Sequence, residues 1–152
     1  MKVQEYLTQQ RVPFDLHEHV PAYTAQEMAA EEHVTGNKTA KPVIVRAKDT
    51  YAMCVLPASR KLDLNKVARA LKTDSVRLAG EDEMADLFPD TEIGAEPPFG
   101  KLYNLPTLVD PRLRDHEEIV FQAGTHRHSI TMKATDYVGL AEPVIADICL
   151  QR

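Results

Sequence analysis

Apolar positions recur along this chain with two periods, and the switches between them mark its elements. In "VQEYLTQQRV", Val3, Tyr6 and Leu7 fall at helical spacing, and Pro13 ends the pattern. "FDLHEH" alternates Phe14 and Leu16 with polar neighbours, which predicts a short strand with both facing inward. "TAQE" at 24–27 is a capping box: Thr24 can accept from the amide three residues on while Glu27 reaches back, predicting a helix through about Glu32. "PVIVRA" and "TYAMCVL" read as paired strands joined by the turn "KDT". Leu64, Val67, Ala68 and Leu71 fall at i, i+3, i+4 and i+7, so a helix lies over the sheet. "SVRLA" predicts a strand and "EDEMADLF" a short acidic helix. "PTLVD", "EIVFQAG" and "SITMKA" predict three more strands, and 135–150 is mostly helical. About six strands interrupted by helices indicate an α+β fold, with a closed or nearly closed mixed sheet. No repeat, low-complexity stretch or linker divides the chain, so residues 1–152 are read as a single domain.

Composition narrows the class. The chain has 152 residues, 43% apolar and 27% charged, the balance of a globular protein. No apolar run approaches the roughly 18 residues of a membrane span, and the N-terminus lacks a signal-peptide core. Two isolated cysteines, Cys54 and Cys149, fit a reducing compartment, so a cytoplasmic protein is expected. The net charge of −5 argues against indiscriminate nucleic-acid binding. Its distribution is uneven. Residues 57–77 carry six bases against two acids, and residues 80–96 carry seven acids and no base. Two solvated faces of opposite sign explain this, as does a local basic surface for a phosphate backbone.

Several chemistries find little support. His17 and His19, and His126 and His128, are spaced two apart, which on strands would point each pair to one face. No carboxylate or cysteine stands at a companion spacing, so no metal is expected. His33 and His116 lie in polar contexts and read as surface residues. Ser59, Ser75 and Ser129 lack a G-x-S-x-G elbow, Cys54 sits mid-strand, and no phosphate-binding glycine loop occurs, so no nucleotide or other cofactor is expected. Two features stand out. "EIGAEPPFG" at 92–100 combines glycines with consecutive prolines, which describes a stiff loop of specified shape. Lys41 directly precedes "PVIVRA", either snorkelling from a sheet edge or held as a cation for a phosphate or carboxylate.

Five stretches, taken in order, resemble the YbaK/EbsC family, also called the YbaK/prolyl-tRNA synthetase-associated domain. They are "AKPVIV" at 40–45, "VLPASRKLDLNKVARAL" at 55–71, "VRLAGEDEMADLFPDTEIGAEPPFG" at 76–100, "LPTLVD" at 105–110 and "EIVFQAGTH" at 118–126. The resemblance implies an α+β domain around a mixed, barrel-like sheet flanked by helices. It also implies a freestanding editing hydrolase that deacylates mischarged tRNA, with the aminoacylated 3′ end of tRNA as partner, an aminoacyl-tRNA synthetase as a second one, and no membrane. Lys41 matches the family's strand-start lysine, and Gly94 and Pro98 its G-x-x-x-P loop, continued by Phe99 and Gly100. Gly124 matches a later glycine, and His126 a histidine used by some relatives.

On this resemblance Lys41, Gly94, Pro98 and His126 are the expected catalytic residues, with Lys41 on the tRNA end and the 94–98 amides on the ester carbonyl. His19, Pro97, Phe99, Gly100, Gln122 and Gly124 are the expected substrate-binding residues. The chain departs from the common pattern at Pro42, where many relatives have threonine, at His19, where an aromatic is usual, and at Gln122, which replaces a small residue. Pro97 is an extra proline, and "THRH" replaces a glycine-containing turn. Each reshapes the pocket. A non-catalytic module binding tRNA, other oligonucleotides or a synthetase is the alternative reading.

Overall fold

The two β-branched runs pair as expected. β2 (Ala40–Ala47) and β3 (Thr50–Pro57) form an antiparallel hairpin closed by the two-residue turn Lys48–Asp49, with Lys48 at φ 56° and Thr50 Oγ1 donating to the Ala47 carbonyl. The computed structural model describes residues 2–31 and 35–151; His33 and Glu32 lie outside them. Before the hairpin come α1 (Lys2–Gln9), β1 (Asp15–Glu18) and α2 (Ala25–Glu31). After it come α3 (Leu64–Ala70), β4 (Arg77–Leu78), α4 (Glu81–Leu87), β5 (Thr107–Val109) and α5 (Pro111–Arg114). β6 (Glu118–Gln122), β7 (His128–Lys133), α6 (Ala134–Ala141) and β8 (Val144–Ile145) complete the chain.

The strands form two sheets, not one closed barrel. One is antiparallel, in the order β1-β7-β6; the other is mixed, in the order β4-β2-β3-β5-β8. A bridge between Thr39 and Val120 joins their edges. Between the sheets lies the main core, where Ala40, Ile44, Met53 and Val55 meet Ile119, Phe121, Ile130 and Met132. On the other face of the mixed sheet, Val45, Cys54 and Leu56 pack under α3 and the tail residues Ile148 and Cys149. β3 is buried on both faces, which is why its sequence shows an unbroken apolar run instead of alternation.

Local expectations differ from the structure where they ignored neighbours. β1 is exposed throughout, and Leu16 does not face inward; only Phe14, just before the strand, packs on the core. The C-terminal helix stops at Ala141, where Glu142 turns left-handed before Pro143, and the chain continues as a strand. Asp63 caps α3 by accepting from the Asn65 and Lys66 amides. The basic and acidic stretches meet each other: Glu83 of the acidic stretch binds Arg77 and Arg46, and the Tyr51 hydroxyl donates to it. Those contacts hold its carboxyl well below the usual carboxylate range. Lys66 donates to the Asp147 carboxylate and the Cys149 carbonyl, and Arg60 to the Leu150 carbonyl. Half of the basic run is thus engaged in tying the fold together.

Candidate functional site

Strand alternation sends Ile119 and Phe121 of β6 into the core, and Val120 and Gln122 to the opposite face, under α2. There the carbonyl of Ala22 is a hub. Gln122 Nε2 donates to it at 2.6 Å and His126 Nδ1 at 3.1 Å, while the Ala22 amide donates to the His126 carbonyl at 2.8 Å. Gln122 and His126 are both buried. A carbonyl only accepts, so Nδ1 carries a proton, and in the neutral ring Nε2 is the nitrogen with the lone pair. The ring of Tyr23, itself 62% exposed, covers the imidazole with centroids 4.8 Å apart.

The stiff loop forms the wall beside this histidine. Gly94 has φ +92°, and a Cβ there would meet the Tyr23 carbonyl at 3.3 Å and His126 Cε1 at 3.4 Å. The loop is clamped to the β6–β7 turn from both sides. The amide of Gly124, a residue at φ +96°, donates to the Ala95 carbonyl, the Glu92 amide donates to the Gly124 carbonyl, and the His126 amide donates to Glu92 Oε1 at 2.7 Å. Pro98 is held by its carbonyl, which accepts from the Tyr137 hydroxyl at 2.6 Å. Pro97 lines a shallow hollow of about 30 Å³ with Gly124 and Tyr103.

Two of the expected substrate-binding residues are internal. Phe99 is fully buried among Tyr6, Phe121 and Tyr137, and its ring anchors the loop. Gly100 is also internal. A Cβ would stand 2.3 Å from Thr107 Oγ1 and 2.7 Å from the Leu105 carbonyl, so its glycine serves close packing.

Lys41 has a hydrogen-bond partner of its own, apart from those of His126. Ala40 and Ile44 face the main core with Phe99 and Phe121, so Lys41, Val43 and Val45 point to the other face of the sheet. Its half-buried Nζ donates to the Arg60 carbonyl at 2.9 Å, and burial lowers its pKa. α2 and its approach touch both places: Tyr23 covers His126, while Gln26 Nε2 donates to the Ala58 carbonyl, two residues before Arg60. His19 is half-buried next to the same region, its Nδ1 on the Val20 carbonyl and its amide on the Arg127 carbonyl.

The paired histidines do not converge. His126 lies before β7, not on it, and turns inward, whereas His128 Nδ1 pairs with Thr125 Oγ1. Among the described residues no group of three or more His, Cys, Asp or Glu could hold a metal. Burial pushes both thiols up to about 12, which suits structural cysteines.

Glu96 is the residue that counting charges could not reveal. Only 5% exposed, it accepts from the Gly94 amide with both carboxylate oxygens, at 2.8 and 3.1 Å. Burial raises its pKa, outweighing the backbone donors and the nearby His126 that lower it. A folded-state pKa above the unfolded value of about 4.3 means folding weakens as pH rises through that window and stays penalised above it. Glu96→Gln is therefore expected to raise the thermal midpoint at pH 8, a gain that fades as pH falls below the unfolded value. Equal midpoints at pH 8 would show that the buried charge carries no penalty.

Comparison with known proteins gives one family and several relatives. The profile of the aminoacyl-tRNA editing domain matches residues 19–140. The multifunctional Ser/Thr-tRNA deacylase ProXp-y of Escherichia coli (strain K12) is 28% identical over 113 residues, covering 71% of this chain and 67% of that protein. The crystal structure of hypothetical protein APE2540 superposes with a TM-score of 0.90 at 23% identity, covering 99% of this chain and 100% of the other. That of a candidate trans-editing enzyme for prolyl tRNA synthetase gives 0.83 at 23% identity, covering 99% and 96%.

Proposed function

The chain belongs to the aminoacyl-tRNA editing domain family, and from that premise we propose that it is a trans-acting aminoacyl-tRNA deacylase, with residues 1–152 acting as one editing domain. The observation that carries the reading is the His126 imidazole: its tautomer is set by the Ala22 carbonyl and its ring edge borders Gly94 under the exposed Tyr23. Nε2 takes a proton from water, the resulting hydroxide attacks the ester carbonyl, and the C–O bond to the ribose breaks. The amino acid leaves as a carboxylic acid that ionises, and the proton passes to the ribose oxygen. A base of this kind contributes about 10²–10⁴ in rate. No protein nucleophile is required, because the ester is already activated and orientation supplies much of the remainder.

The loop from Gly94 to Pro98 holds the ester carbonyl through its amides, an arrangement in which each donor is worth about 10²–10³ in rate. For the Gly94 amide to serve, Glu96 must release it. Lys41 holds the tRNA 3′ end, beside a groove of about 260 Å³ lined by Ser59, Arg60, Lys61, Leu150 and Gln151. Single-stranded RNA ends are bound in this way, by phosphates and stacking, without base-paired readout. A second sieve of this type removes amino acids that a synthetase pocket rejects by only about 1–3 kcal/mol. A synthetase is the natural second partner, since a structural neighbour is described as trans-editing for one. Translation sets the cytoplasm as the working compartment; among the described residues no helix is long and apolar enough to cross a membrane.

The test is a screen of mischarged tRNAs, beginning with seryl- and threonyl-tRNA because the curated relative is named for them. Lys41→Ala run beside the natural protein should lose about 10²-fold in turnover, the scale of a misplaced substrate, with its thermal midpoint little changed. Undiminished turnover in that variant removes Lys41 from the site. Retention of charged tRNA with no release of amino acid favours the non-catalytic binding module.

A further inference from the structure

We infer that Glu96 selects the free aminoacyl ester: its carboxylate takes the substrate's α-ammonium and, in moving to it, hands the Gly94 amide to the ester carbonyl. This rests on the deacylase reading and extends it to how the substrate is recognised. A carboxylate has about four acceptor positions, and in this loop the Gly94 amide is shared between the two oxygens. Among the described residues no lysine or arginine forms an ion pair with Glu96. A buried anion without a cation is costly, and such costs are kept where binding relieves them.

The second argument concerns charge in the reaction. Attack on the ester builds negative charge on the carbonyl oxygen, and an ionised Glu96 beside Gly94 opposes it. The opposition ends if a cation arrives with the substrate. An aminoacyl ester brings one, because its α-ammonium is a single carbon away from the carbonyl carbon. Neighbouring groups do not compete for this role. Glu92 is occupied by the His126 amide, and the His126 Nδ1 by the Ala22 carbonyl. One carboxylate thus reads the ammonium, and one freed amide the carbonyl next to it. N-acylated esters, such as those of peptidyl-tRNA, lack the cation and leave the loop locked.

The experiment compares seryl-tRNA with N-acetyl-seryl-tRNA, using the natural protein and Glu96→Gln. A hydrogen bond to a charged group corresponds to about 10–100-fold in selectivity. The natural protein should prefer the free ester by that factor in kcat/KM. Glu96→Gln should lose about that factor on the free ester alone, so that the two substrates become nearly equivalent. Equal rates on both esters with the natural protein, or unchanged preference in Glu96→Gln, would overturn the assignment while leaving the deacylase reading intact. Binding provides a measurement that needs no variant. Adenosine carrying a serylamino group in place of the seryl ester should bind the natural protein about 10–100-fold tighter than its N-acetyl form; equal affinity overturns the assignment. Amine-selective binding with no hydrolysis of any aminoacyl-tRNA would sustain Glu96 recognition and sink the deacylase.

Discussion

Phe99→Ala should cost about 3–5 kcal/mol of stability, the range for removing a large buried aromatic side chain. The ring has no exposed surface and meets three others edge-on: Tyr6 of α1 at 5.9 Å, Phe121 of β6 at 5.8 Å and Tyr137 of α6 at 5.0 Å. Such pairs add to the burial term, and truncation would leave a cavity where the two sheets and both terminal helices converge. For a domain of this size the thermal midpoint should fall by about 6–20 °C. Activity should fall with it, because Phe99 lies next to Pro98, whose carbonyl receives the Tyr137 hydroxyl. Urea denaturation of the variant checks the figure. A loss below about 1 kcal/mol would mean the loop is held by its backbone clamps alone.

His126→Asn is expected to separate rate from fold. An asparagine amide can still donate to the Ala22 carbonyl from close to the position of Nδ1, and Gln122 continues to occupy that carbonyl. What disappears is the Nε2 lone pair. Deacylation should therefore drop by about 10²–10⁴ in kcat with KM nearly unchanged. The accompanying loss of stability should stay within about 0.5–1.5 kcal/mol, the worth of one hydrogen bond. Natural turnover in His126→Asn would pass the proton-accepting role to another group.

The elements that local spacing could reach were legible in the chain. The "KDT" turn closes its hairpin between Ala47 and Thr50, and α3 forms over Leu64–Ala70, where Leu64, Val67 and Ala68 repeat at helical spacing. The Thr24 hydroxyl accepts from the Glu27 amide, although Glu27 reaches back to the Tyr23 amide and not to that of Thr24. Barrel closure was not legible, because sheet order depends on which strand edges meet, and β5 and β8 join by parallel pairing across long connections. The stiffness of 92–100 was visible as well, but not its beneficiary. Glycine and proline density shows that a shape is imposed; the partners filling it, Thr107 against Gly100 and three rings around Phe99, come from elsewhere in the chain.

By itself, then, the order of residues determined the hairpin, the Thr24-capped helix, the stiffness of 92–100 and the family to which the chain belongs. Those features depend on residue type and short-range spacing. Tertiary structure alone decided that His126 meets the Ala22 carbonyl across 104 positions, that Glu96 is buried against Gly94, and that the Lys41 amine rests on the Arg60 carbonyl. Contacts at that separation follow from how two sheets stack and which face of each strand turns inward, and no local pattern encodes that choice.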